Sequence, residues 1–227
     1  MAADPAALLA RVPLFAGLDG AALKGLAARL RRRVYRRGTV IFHKDQTGDG
    51  LYVIESGRVR FFLPTQGGEE LTIDVAGEGE VFGELALLDG QPRSASVEAL
   101  EETVTHMLGR EDFQASLAAS PELAAAVIGL LSTRLRHVTD YAESLAFLDV
   151  HGRVARALLE LAGRYGVRGD GITIDLDLTQ TDLAAMVGAT RERVNRALAG
   201  FRAQGLVDLR GRQIILRDPD RLRQRVY

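Results

Sequence analysis

The 227-residue chain contains no cysteine. That one absence excludes disulfide scaffolds, thiolate zinc sites, iron–sulfur clusters and cysteine nucleophiles. No apolar run approaches the roughly 20 residues that span a bilayer. Met1–Arg11 lacks the long apolar stretch of a secretion signal, so a cytoplasmic location without a membrane is the default expectation. Histidine is scarce, and His43, His106, His137 and His151 follow no spacing that suggests ligation. No metal, haem or cluster is therefore expected. What remains is 47% hydrophobic and 26% charged, ordinary for a globular chain, with a length that suits one large domain or two small ones.

The net charge of −1 hides an asymmetry. Residues 150–227 carry 14 basic and 9 acidic side chains, a formal +5, whereas residues 1–149 carry 15 and 21, a formal −6. A basic C-terminal module beside an acidic one points to a polyanion at the C-terminal end.

Asp4 and Pro5 have the residue types that open a helix, and a second amphipathic stretch runs from about Gly20 to Leu30. From Val34 the pattern changes to short β-rich runs: Val40–Phe42, Leu51–Ile54, Val59–Leu63, Leu71–Val75, Ser94–Val97 and Val104–Leu108. Glycine turns separate them, and the spacing is too short for βαβ crossovers. An antiparallel barrel or roll is expected. A catalytic cupin would need His and carboxylate clusters facing the barrel interior, and none is legible, so no enzyme is expected.

Ser120 and Pro121 open a long helix. Ile128, Leu131, Leu135, Val138, Ala142 and Leu145 recur in steps of 3, 4, 3, 4 and 3, a heptad seam. Such a helix could pack on its own barrel, but a core-facing helix shows a wider stripe. The narrow seam favours a dimer.

After a helix from Asp149 to about Tyr165 and a turn over Gly166–Gly171 comes a short strand, Ile172–Leu176. Two helices, about Gln180–Val187 and Arg191–Gln204, have helix-turn-helix spacing. Thr179 with Asp182 forms a capping box, Gly188 suits a left-handed turn, and Thr190 caps the second helix. Arg191, Glu192, Asn195 and Arg196 then share the face that meets base edges in a major groove. A capped surface helix with a Glu192–Arg196 pair is the plain alternative. A hairpin follows, Leu206–Leu209 with Gln213–Leu216, and Arg202, Arg210 and Arg212 are candidates for phosphate contacts. A last short helix is expected to start at Asp218-Pro219.

The second constellation is Phe82-Gly83-Glu84-Leu85 followed by Pro92-Arg93-Ser94-Ala95. A glycine lets the backbone approach a ligand, a glutamate accepts from a hydroxyl, and an arginine beside a serine holds an anion. Together they suit a ribose joined to a phosphate. A turn with a surface Glu–Arg pair suits them equally.

Several ordered stretches resemble one family over essentially the whole chain: Pro13–Leu18, Gly48–Gly57, Phe82–Leu85 with Arg93–Ala95, Leu145–Val150 and Val187–Glu192. The chain resembles the catabolite activator (cyclic-AMP receptor protein) and fumarate–nitrate regulator superfamily. The resemblance implies an α+β fold: an N-terminal double-stranded β-roll of the cyclic-nucleotide-binding type (1–119), a dimerisation helix (120–148) and a C-terminal winged helix-turn-helix (149–227). It implies a homodimer gated by cyclic AMP, bound to a palindromic TGTGA-like operator of double-stranded DNA, with RNA polymerase as a further partner. It assigns Gly83 and Glu84 to phosphate and ribose, and Arg93 and Ser94 to the cyclic phosphate. Where the cyclic-AMP activators carry Thr-Ser at the adenine, the second hydroxyl reaching in from the other subunit, this chain has Val138 and Thr139. A ligand-independent regulator, or one answering to another nucleotide, is the alternative. Ligand contact is expected to lengthen or re-register the long helix and to turn the DNA-binding domains about Phe147-Leu148-Asp149.

Overall fold

The structure, a computed structural model, describes residues 4–65, 70–211 and 213–226. In chain order the elements are α1 (Pro5–Arg11), a 3-10 turn (Pro13–Phe15), α2 (Gly20–Ala27), β1 (Arg31–Tyr35), β2 (Val40–Phe42), β3 (Gly50–Ser56), β4 (Val59–Pro64), β5 (Glu70–Ala76) and β6 (Val81–Phe82). Then come α3 (Leu85–Asp89), β7 (Ser96–Ala99), β8 (Thr103–Gly109), α4 (Arg110–Ala119), α5 (Pro121–Phe147), α6 (Val150–Tyr165), β9 (Gly166–Gly169) and β10 (Gly171–Ile174). The chain closes with α7 (Gln180–Val187), α8 (Arg191–Ala203), β11 (Val207–Arg210), β12 (Gln213–Leu216) and α9 (Pro219–Arg223). Of the described residues, 4–63 and 74–137 form one compact unit; 64–65, 70–73, 138–211 and 213–226 form the other. The border crosses α5.

Two four-stranded sheets, ordered β1–β8–β3–β6 and β2–β7–β4–β5, build the roll. Strand β3 shows why it is buried on both faces. Successive strand side chains point to opposite sides. Tyr52 and Ile54 join Val59, Phe82, Val97 and Met107 in one core. Leu51 and Val53 join Leu8, Leu9, Phe15, Phe113, Leu123 and Val127 in the other. The first turns of α5 thus belong to the sensor core, anchored by the Leu123 amide donating to Ser120 Oγ at 3.1 Å. Asp4 caps α1 as its position suggested, accepting from the Ala6 amide at 3.1 Å.

In the second unit, β11–β12–β10–β9 form a sheet beside α6, α7 and α8. Val154, Leu158, Ile174, Leu183, Val194, Leu198, Phe201 and Leu216 are buried. Gly166–Gly171 is not simply a turn. Gly166–Gly169 is a strand paired antiparallel with β10, Arg168 opposite Ile172. The reversal needs only Gly169–Gly171, which frees the preceding residues to pair. Two further helices, α3 and α4, and the strands β1 and β6 add to the elements expected from sequence.

Candidate functional site

The sensor site is built where β6 runs into α3. Gly83 has φ +86°, and a side chain there would strike Arg93 Nη1 at 2.6 Å. Glycine is therefore required for the backbone to pass beneath the arginine. Arg93 is buried, 3% exposed. Its Nη1 donates to Gly83 O at 2.6 Å, and its Nη2 donates to Gly50 O and to Asp49 Oδ1, both at 3.0 Å. The guanidinium lies 4.1 Å from the Phe42 ring centroid, a cation–π contact. Tyr52 and Phe82 stack nearby with centroids 4.9 Å apart.

Glu84 is wholly buried and ion-paired with Arg134 of α5, whose other terminal nitrogen donates to Val81 O. Two buried polar atoms here have no hydrogen-bond partner among the described residues: Glu84 Oε2 and Arg93 Nε. An orphaned buried group is costly, and these two are one acceptor and one donor. Leu85 is 39% exposed and Ser94 is exposed. Sequence reasoning passed over Arg134 as a site residue. No local pattern signals a partner 50 positions away.

Along α5 the apolar seam lies largely open: Ile128 is 65% exposed, Leu135 68%, Val138 54% and Leu145 39%. Ala142 and Thr139 are exposed as well. Leu131 is half-buried and packs on the sensor core, because α5 passes that core before it leaves it. An apolar row of this kind is a candidate association surface.

The helix-turn-helix follows its sequence signals closely. Thr179 and Asp182 make the reciprocal capping box. Gly188 ends α7 at φ +59°, a conformation that a β-carbon penalises. The Arg193 amide donates to Thr190 Oγ1 at 3.4 Å. Leu183, Val187, Val194 and Leu198 are buried, with Ala184 at the crossing. On the opposite face Arg191, Glu192 and Arg196 are exposed, as is Arg193, which sequence reasoning passed over. Hydrogen bonds from its own amide and the Thr190 hydroxyl, aided by Arg191 and Arg196, hold the Glu192 carboxyl below its ordinary range. It is an ionised acceptor at neutral pH. Asn195 is half-buried, and its Oδ1 is buried without a partner among the described residues. Exposed Arg202 and Arg210 flank Asp208 at 4.0 and 3.5 Å. The Asp208 carboxyl is held low by its hydrogen bond from Arg217 and by the Leu209 amide. Arg212 lies outside the described residues.

Among the described residues no group of three His, Asp or Glu gathers as a metal site, and no single helix is long and apolar enough to cross a membrane. A roll with a buried Glu–Arg cluster, followed by a helix-turn-helix with a charged face, defines the class of sensor-bearing DNA-binding regulators. Residues 32–120 match the family model for the cyclic nucleotide-binding domain, and residues 152–225 that for the Crp-like helix-turn-helix domain. The chain is 35% identical over 219 residues to the CRP-like cAMP-activated global transcriptional regulator of Mycobacterium tuberculosis, covering 96% of this chain and 98% of that protein. It is 37% identical over 197 residues to the cyclic AMP receptor protein of Thermus thermophilus, covering 87% and 88%. The solved structure of FixK2 from Bradyrhizobium japonicum aligns with a TM-score of 0.79 at 26% identity, over 87% of this chain and 98% of that one. The chain belongs to the cyclic-AMP receptor protein and fumarate–nitrate regulator superfamily of transcription regulators. The matched families and relatives are transcription regulators, not enzymes.

Proposed function

We propose that this chain acts as a homodimer on a palindromic operator and that a cyclic nucleotide, cyclic AMP foremost, gates it. The orphaned pair, Glu84 Oε2 and Arg93 Nε, carries the ligand assignment. The carboxylate oxygen accepts from a ribose hydroxyl, and the guanidinium donates to a cyclic phosphate. Gly83, Leu85 and the exposed Ser94 complete the cradle; Thr139 offers the base a hydroxyl and Val138 only an apolar contact. Two relatives are named for cyclic AMP, which supports the same ligand here. The open seam supports self-association through residues 120–148, between a sensor of residues 1–119 and a DNA-binding domain of residues 149–227. RNA polymerase is the further partner, and the cytoplasm is the compartment.

Val138 favours a second reading, a regulator that works without ligand or answers to another nucleotide. Its apolar side chain stands on the seam where related activators carry a hydroxyl, so it strengthens association and offers the base no hydrogen bond. Calorimetry with a panel of cyclic nucleotides separates the two. Heat at micromolar cyclic AMP supports the first; heat with another nucleotide alone, or silence with every one, supports the second. A mobility shift with a palindromic probe tests DNA binding for both.

A further inference from the structure

The first helix of the helix-turn-helix caps its own C-terminus only in part. A helix ends in carbonyls that must find donors elsewhere. In α7 the amides of Gly188 and Ala189 both serve Ala184 O. The carbonyls of residues 186–188 are served from α5 and α6. The Tyr141 hydroxyl donates to Met186 O at 3.1 Å. Arg153 donates through Nε to Val187 O at 2.7 Å and through Nη2 to Gly188 O at 3.4 Å. The same guanidinium donates through Nη1 to Leu148 O at 2.8 Å, just past the end of α5. One cation thus serves the carbonyl ends of two helices, where the helix dipole favours positive charge. Arg156 adds an ionic link from α6, 3.9 Å from Asp140 and 3.6 Å from Glu143. Leu145 closes the contact: a β-carbon on Gly188 would lie 3.3 Å from its Cδ2. Burial pushes the Tyr141 phenol up to about 12, so it remains a donor across the neutral range.

We infer that Tyr141, Arg153 and Arg156 clasp the turn before the reading helix to the last turns of α5, so that α8 follows those turns and Phe147-Leu148-Asp149 is no free pivot. The inference deepens the proposed function, since it names how a change in α5 reaches the DNA-reading face. Tyr141 and Arg153 are positioning residues: they touch the helix ends that orient α8. The junction sequence suggests a hinge because Asp149 restarts a helix. The hydrogen bonds that stiffen it come from residues on either side of that break.

The absence of cysteine makes a direct test clean. Spin labels go on Ala146→Cys in α5 and Ala199→Cys in α8, both exposed, with labelled protomers diluted into unlabelled protein. The expected distance distribution is single and narrow, and it broadens in Tyr141→Phe and further with Arg153→Gln. In parallel, the ratio of operator affinity with and without saturating cyclic AMP should fall by about 3- to 10-fold in Tyr141→Phe, the worth of one hydrogen bond. A merely structural role would weaken operator binding alike with and without ligand, leaving the ratio and the distance width unchanged, and that result overturns the clasp. If the unsubstituted protein ignores cyclic AMP at the operator, the gating proposal falls, and the distance width alone decides the clasp.

Discussion

Arg134 and Glu84 pair across the sensor with unequal burial: the Glu84 side chain is 1% exposed and that of Arg134 is 27%. The carboxylate is the more deeply buried partner, so it bears more of the cost when the pair is broken. Arg134→Ala should therefore cost roughly 3–5 kcal/mol of stability, the usual penalty for stranding a buried charge. Glu84→Gln should cost less, and the Glu84→Gln/Arg134→Met double variant should recover most of the loss. Urea unfolding of the four proteins checks the ranking.

Arg93 holds the cradle together and faces the proposed phosphate, so its loss should register in ligand affinity. Removing one partner of a buried charge-assisted contact costs about 2–5 kcal/mol. Arg93→Ala should weaken cyclic AMP binding by roughly 30-fold or more. Arg93→Lys keeps the charge but not the planar fork and should recover only part of it. Calorimetry reads both.

Leu135 is 68% exposed in the seam, so a charge there should leave the protomer folded. Leu135→Glu would set two carboxylates face to face in a dimer. Sedimentation should then find a monomer with an unchanged circular dichroism spectrum. A monomer before substitution would refute the seam.

Two phenols should ionise late. Burial pushes both Tyr52 and Tyr141 from 10.0 to about 12. A group whose folded pKa is raised stabilises the fold fully below its unfolded pKa and loses that contribution as pH climbs through the folded value. Stability from these two should thus hold to about pH 10 and decline toward pH 12. Absorbance titration of the phenolates should show a late phase, and Tyr52→Phe and Tyr141→Phe should each remove part of it.

Much of the architecture was legible because its signals are local. The turn before α8 is one case, with Thr179, Asp182, Gly188 and Thr190 each acting within a few residues. Strand β1 was not legible. Arg31, Arg32 and Arg33 read as plain surface, yet an exposed edge strand is where charge is expected to guard against pairing. Helix α3 spans only 5 residues, too few to display a period. The pocket was half legible: Gly83, Glu84 and Arg93 lie close in sequence, but Arg134 arrives from a helix whose pattern advertises only its seam. The clasp residues were invisible for the same reason, since Tyr141 and Arg153 act on carbonyls about 35–45 positions away, and a backbone carbonyl leaves no trace in sequence.

The operator proposed above is to be read by the exposed face of α8. Arg191 and Arg196 can each address guanine O6 and N7, and ionised Glu192 can accept from cytosine N4. The family resemblance of the Arg-Glu-x-x-x-Arg face implies a TGTGA-like half-site, which is the half-site proposed here. Two such faces in a two-fold dimer require half-sites about 34 Å apart, one turn of duplex. Arg191→Ala should cost about 1–3 kcal/mol and relax selection at one guanine. Arg202→Ala should instead weaken all sequences alike and flatten the salt dependence, since a phosphate contact carries no sequence information. That effect should be small, because Asp208 already shares the charge of Arg202. Selection of binding sites from random DNA decides all of these together. A strongly enriched motif without a TGTGA-like inverted repeat would show that another face of α8 does the reading, even if the protein still binds DNA.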